Sequence, residues 1–196
     1  MSVLILPAAA VIAFFSHEIL LLWTGNPVTS ENTYMIASIL IIGTAFNGLM
    51  NMPYALQLAH GWTRLTFSVN LVSVMLLVPL TMFMAWKYGA VGASLVWVIL
   101  NSGYVIIAIQ FMHRRLLTGE KWIWYGKDVG IPMLVALATA GVCKFVAGGE
   151  SLSQLMSVLI LILISAVTLG VTAIMTPTTR NFVFNQLMKL KLTYGN

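Results

Sequence analysis

The sequence predicts an all-α, polytopic transmembrane helix bundle of about six spans. Three observations carry that expectation. First, 60% of the 196 residues are apolar and only 8% are charged, where a soluble domain has about 45–50% and roughly 25%. So few charges cannot cover a water-facing surface, and mean hydropathy is +0.95. Second, the apolar residues fall into six runs, each close to the ~20 residues that cross ~30 Å of hydrocarbon as a helix. Third, the basic residues segregate to one set of connections. The runs do not alternate polar and apolar residues, as the strands of a membrane barrel would.

The first run, 3–23, follows Met1-Ser2 with no basic stretch, and Ala8-Ala9-Ala10 come too early for a cleavage site. It reads as a retained span, closed by Gly25-Asn26-Pro27. The second, 33–59, contains Pro53 and ends at His60-Gly61-Trp62. The third, 65–86, contains Pro79 and turns through Tyr88-Gly89 into the fourth, 91–112. Prolines inside spans remove a backbone bond and mark kinks. The longest connection runs from His113 to Lys127 and mixes Trp122, Trp124 and Tyr125 with basic residues, a composition suited to the headgroup layer. The fifth run is 129–146. Gly148-Gly149 leads to the sixth, 153–175, which Pro177 ends. Residues 1–176 thus read as one membrane domain. The tail, 177–196, sets Phe182, Phe184, Leu187 and Leu190 among Lys189 and Lys191. It reads as a cytoplasmic, interfacial amphipathic segment.

With six spans, one side collects Arg64, Arg114, Arg115, Lys121, Lys127, Arg180, Lys189 and Lys191, and the other Lys87 and Lys144. Positive residues favour the cytoplasmic side, so both termini are expected there, in a plasma membrane. The same bias accounts for the net charge of +5 without nucleic acid as a partner.

Catalysis finds no support. His17, His60 and His113 are far apart, and no Gly-rich phosphate loop or carboxylate cluster occurs. No cofactor is expected. The lone Cys143 permits no internal disulfide, and no metal-ligand spacing exists.

Transport fits better. Gly43, Asn47, Asn51 and Tyr54 recur at intervals of four, four and three, which places them on one helical face. Gln57 lies close to that face, and Asn101 adds a carboxamide in the fourth span. Carboxamides in mid-membrane need partners or water. A hydroxyl-rich substrate cavity supplies both, and so do hydrogen bonds between packed helices. Arg64, at the cytoplasmic start of the third span, is an entrance-side phosphate candidate, or a topology anchor. His17 and Glu18 are ion-coupling candidates, or an interfacial pair beside Trp23. No charged residue sits at the centre of any span.

Three segments carry a resemblance. Phe14-Phe15-Ser16-His17-Glu18-Ile19-Leu20 with Trp23-Thr24-Gly25, then Pro53-Tyr54-Ala55-Leu56-Gln57-Leu58-Ala59-His60-Gly61-Trp62-Thr63-Arg64 with Asn70, then Tyr88-Gly89-Ala90-Val91-Gly92-Ala93, resemble recurring segments of polysaccharide (O-antigen, Wzx-type) flippases of the MATE-like superfamily. The resemblance implies one lobe of such a transporter, its C-terminal portion, needing an N-terminal half as partner. It implies a polyprenyl-pyrophosphate-linked oligosaccharide as substrate, with the sugar in a cavity walled by Asn47, Asn51, Tyr54, Gln57 and Asn101 and the lipid tail in the bilayer. Two alternatives stay open. One is a fragment of a cation-coupled multidrug exporter, and the other a non-transporting membrane partner or remnant.

Overall fold

A computed structural model describes residues 1–115, 121–147 and 154–180. They are helical throughout apart from short turns, so the protein is an all-α polytopic helix bundle. Pro27–Ala59, Thr66–Met112, Lys121–Ala147 and Gln154–Met175 are each long and apolar enough to cross a membrane. The described residues fall into two units. One is Ile12–Lys121 with Met1; the other is Ser2–Val11 with the described part of Trp122–Asn196.

The first expected span is not one straight helix. Helices α1 (Ser2–Phe14) and α2 (Ser16–Thr24) are bent by 74° at Phe15. No proline or glycine causes this. The Ala13 carbonyl near the break accepts hydrogen bonds from the hydroxyls of Ser16 and Ser38, at 3.5 and 2.9 Å. A break at membrane depth is tolerated where side chains take up such groups. Counted as one broken span, the pair gives a fifth crossing candidate.

Gly25 closes α2 in the left-handed conformation, φ 63°, ψ 10°. Asn26 then caps α3 (Pro27–Leu49), its Oδ1 accepting from the amides of Val28 and Thr29 at 2.9 and 3.3 Å. Proline at the first helical position costs nothing, because its missing N–H would have had no partner. The helix therefore starts at Pro27, earlier than the apolar run from 33.

α3 yields to α4 (Asn51–Ala59) at Met50. Pro53 is the cause. It has no N–H to offer the carbonyl of Leu49, and its ring crowds that carbonyl. At the far end of α4, the amides of Trp62 and Gly61 bond the carbonyls of Gln57 and Leu58, both at 3.0 Å. Gly61 sits at φ 65°. This paired closure reverses the chain.

α5 (Thr63–Gly103) is two arms folded at Gly89, where φ is 62° and ψ −149°. Only glycine holds that conformation readily. A straight 41-residue helix would be about 60 Å long, twice the hydrocarbon thickness. Past the turn, a Cβ at Gly92 would strike the Met84 carbonyl, so the returning arm starts hard against the first. The second arm passes through a π-helical turn (Tyr104–Ala108) into α6 (Ile109–Arg115). In this unit α3 packs along α5 and α2. Gly43 sits close against α5: a Cβ there would lie 2.5 Å from Cδ1 of Trp97.

In the other unit, helix begins earlier than composition suggested. α7 (Lys121–Ile123) and a π-helical turn (Trp124–Gly130) run into α8 (Ile131–Ala147). The aromatic residues of the expected connection 113–127 are thus on helix, and 116–120 lie outside the described residues. α8 packs on α9 (Gln154–Met175). The buried residues of α8 are Pro132, Ala136 and Ala140, and those of α9 are Ile164, Thr168 and Thr172. Small residues let backbones approach closely where lipid supplies no hydrophobic drive. Most of the expected interfacial tail, 181–196, lies outside the described residues.

Candidate functional site

The polar stripe of α3 and α4 opens onto a cavity of about 260 Å³ in the first unit. Asn47, Asn51, Tyr54 and Gln57 line one side, from the two helices that meet at Met50. Thr66 and Asn70 line it from the first arm of α5, and Tyr104 from the π-helical turn. Met50, Val69 and Ala108 complete the wall. Every lining residue is uncharged. The site offers carboxamides, hydroxyls and phenols, and no fixed ion.

Three bonds between helices hold this wall. The Asn47 amide donates to Oδ1 of Asn101 at 2.9 Å, and the Asn101 amide donates to the Trp97 carbonyl at 2.8 Å. The Thr66 hydroxyl donates to Oε1 of Gln57 at 2.7 Å. The Tyr104 hydroxyl donates to Oδ1 of Asn70 at 2.9 Å. Gln57 and Asn101 are buried, whereas Asn51 and Tyr54 are exposed. The side chains of Asn51 and Tyr54 make no hydrogen bond to the described residues. The cavity thus has a fixed rim and two uncommitted polar groups. Carboxamides donate and accept together, which suits a ligand bearing many hydroxyls.

The structure places the sequence candidates unequally. Asn47, Asn51, Tyr54 and Gln57 come together on the cavity. Asn101 does not line it; fully buried, it stands behind Asn47 and orients that amide. Arg64 is exposed at the start of α5, two residues before Thr66, and is not part of the lining. His17 and Glu18 lie on α2, away from the lining. Nε2 of His17 is 3.3 Å from Oε2 of Glu31, with the two side chains 38% and 73% exposed. Such an exposed pair contributes little to stability. The His17 ring also meets Tyr34 edge-on at 5.7 Å. No group of three or more potential metal ligands occurs among the described residues.

Thr66, Asn70 and Tyr104 were not among the sequence candidates. Thr66 and Asn70 are four residues apart on one helix, a stripe that the carboxamide pattern of α3 could have prompted. Tyr104 gave a weaker signal. It opens a π-helical turn, and such turns shift side-chain phase and cluster at functional sites.

Among known proteins, the chain is distantly similar to a Shigella flexneri protein named "Putative O-antigen transporter", 28% identical over 119 residues. The match covers 59% of this chain and 27% of the relative, so the chain spans only about a quarter of that relative's length. No family model matches. No solved structure matches.

Proposed function

We propose that this chain is one lobe of a MATE-like polysaccharide flippase. It carries a lipid-linked oligosaccharide across the inner membrane. The observation behind the reading is the uncharged wall of Asn47, Asn51, Tyr54, Gln57, Asn70 and Tyr104 inside a bundle built for lipid. Polar groups at such depth are costly, and a sugar head offsets that cost by exchanging hydrogen bonds with them. The distant likeness to an O-antigen transporter points the same way. A cation exporter would want a carboxylate at its site, and the described lining carries none.

In the proposed arrangement the chain crosses six times with both termini cytoplasmic. The fold at Gly89 divides the long helix into two crossings, and basic residues stand eight to two in favour of that orientation. A second bundle, supplied by another stretch of polypeptide, forms the opposite wall. Rocking of the two bundles exposes the sugar first to one side and then to the other. Arg64 stands at the cytoplasmic entrance, where it meets the pyrophosphate. The lobe acts by binding and moving its substrate, not by catalysis.

Complementation tests the reading. In a strain lacking its polysaccharide flippase, the chain with its second bundle restores surface polysaccharide. Asn47→Leu with Asn51→Leu abolishes that rescue while membrane insertion stays normal. Unchanged rescue by the double variant removes these residues from the site. Failure of the intact pair, despite insertion, removes the function.

A further inference from the structure

Two cations stand uncommitted where α8 begins and α9 ends, and both belong to the second unit. Lys127 lies in the π-helical turn that leads into α8, and Arg180 in the helical turn 177–180 that follows α9. Both are exposed. Among the described residues, neither side chain has a hydrogen-bond or ion-pair partner. By contrast, Nζ of Lys121 donates to Oε1 of Gln110 at 2.7 Å, and Nζ of Lys87 lies 5.2 Å from the centre of the Tyr88 ring.

One hydrogen bond brings the two helix ends together. The Thr178 hydroxyl donates to Oδ1 of Asp128 at 3.1 Å. Lys127 precedes Asp128 in the chain, and Arg180 is two residues past Thr178. Two positive charges thus stand at this end against one negative charge, whose carboxylate is already tied to a hydroxyl.

The neighbouring rings set the depth. Trp122, 77% exposed, has its ring 6.5 Å from that of Tyr125, and Trp124 meets Tyr125 edge-on at 5.1 Å. Clustered Trp and Tyr rings settle at the headgroup layer. Lys127 follows Trp122 by five residues, roughly 7 Å further along the axis toward α8. It therefore stands no farther out than the rings, among lipid phosphates. Between rings and cation lies Gly126, exposed, where a Cβ would meet nothing within 4 Å. The surface beside Lys127 is thus open to a headgroup.

Basic residues gathered between helix ends suit anionic lipid heads. We propose that this end of the second unit binds the headgroup phosphate of an anionic phospholipid, phosphatidylglycerol, held by Lys127 and Arg180. A zwitterionic lipid carries the same phosphate with a cation of its own, so the surplus positive charge favours the anionic one. A lipid that binds only the folded unit also stabilises it by mass action. The proposal stands apart from the transport reading, and either can fail without the other.

Asp128 supplies a test that a purely structural role would not pass. Asp128→Asn keeps an oxygen for Thr178 and removes the opposing charge, so headgroup binding tightens. The full chain is placed in phosphatidylcholine nanodiscs with phosphatidylglycerol bearing a diazirine in its headgroup, or with phosphatidylcholine bearing the same group. Labelled peptides are mapped by mass spectrometry. The phosphatidylglycerol probe is expected to label 122–130 and 177–180 several-fold more than the phosphatidylcholine probe, with unlabelled phosphatidylglycerol competing. Lys127→Gln with Arg180→Gln lowers that labelling several-fold, Lys127→Arg with Arg180→Lys retains it, and Asp128→Asn raises it. The charge-matched pair Lys87→Gln with Lys144→Gln leaves it unchanged. Equal labelling by the two probes makes the segment a plain aromatic anchor and overturns the proposal. An equal loss in the charge-matched pair reduces it to bulk charge and overturns it as well. So does displacement by polyprenyl pyrophosphate at a lower concentration than by phosphatidylglycerol, which gives the cations to a different lipid. If the Gln pair does not fold, Asp128→Asn decides alone, and unchanged or weaker labelling overturns the proposal.

Discussion

Both units return hydroxyls to their own helices, as Thr44 does to Leu40 and Thr81 to Leu77 in the first, but they differ in what joins one helix to another. In Ile12–Lys121, carboxamides and hydroxyls bond from one helix to another: Asn47 to Asn101, Gln57 to Thr66, Asn70 to Tyr104, and Thr44 to the Trp97 indole at 3.3 Å. In the unit of α8 and α9, the Thr178 hydroxyl reaches across to Asp128 at 3.1 Å near the helix ends, while the hydroxyls along the helices turn back on their own turns. Thr139 donates to the Val135 carbonyl, Ser165 to Leu161, Thr172 to Thr168 and Thr176 to Thr172, each at 2.7–2.8 Å. A hydroxyl returned to its own turn asks nothing of a neighbour. It lets small-faced helices pack without a polar lock. Bonds between helices instead fix relative positions and hold an open space between them. The difference teaches where to look for a site in such a bundle. Polar residues alone do not mark it; polar residues whose partners lie on other helices do.

Asn101→Leu makes the sharpest break in this contrast. It removes a fully buried side chain that accepts from Asn47 and donates to the Trp97 carbonyl, and the loss of both bonds costs about 2 kcal/mol. Reversible unfolding in mixed micelles measures it. A loss no larger than for Thr172→Val would erase the contrast.

Glycines sharpen it next, with opposite signs. Gly43→Ala sets a methyl 2.5 Å from the Trp97 ring, and overpacking of that kind costs about 1–2 kcal/mol. Gly170 on α9 has open space around its Cβ, so Gly170→Ala gains up to about 1 kcal/mol from helix propensity. Thermal unfolding in detergent reads both, and a shared sign would contradict the packing described.

A double-mutant cycle on Asn47 and Asn101 gives a smaller number. The expected coupling is about 1 kcal/mol, within what membrane hydrogen bonds yield. The smallest effect is Thr172→Val, under about 0.5 kcal/mol, because only a bond within one helix is lost. A larger loss would mean that this hydroxyl also serves a neighbouring helix.

Much of this was legible in the sequence, for physical reasons. Apolar runs long enough to cross lipid have few alternatives to helix, and Gly25-Asn26-Pro27, His60-Gly61-Trp62 and Gly89 each mark a turn. Asn47, Asn51, Tyr54 and Gln57 could be grouped because a helical period repeats along one stretch of chain. Thr66, Asn70 and Tyr104 could not, because their meeting with that stripe depends on how α5 folds back. Asn101 was grouped by type, yet its side chain faces Asn47 rather than the cavity. The bend at Phe15 left no trace, since nothing in Val3–Trp23 departs from an apolar run except Ser16-His17-Glu18. The early start of helix at Lys121 was hidden by a composition that suits a headgroup-facing connection equally well.

Cysteine accessibility tests the central claim most directly. In a Cys143→Ser background, Asn51→Cys, Tyr54→Cys and Thr172→Cys are introduced one at a time and probed with a membrane-impermeant maleimide, with and without lipid-linked oligosaccharide. Positions 51 and 54 should label, and the sugar-lipid should protect both. Position 172 should stay unlabelled throughout. Equal labelling at all three positions, or no protection at 51 and 54, would contradict a sugar-binding cavity confined to the unit whose helices are bonded to one another.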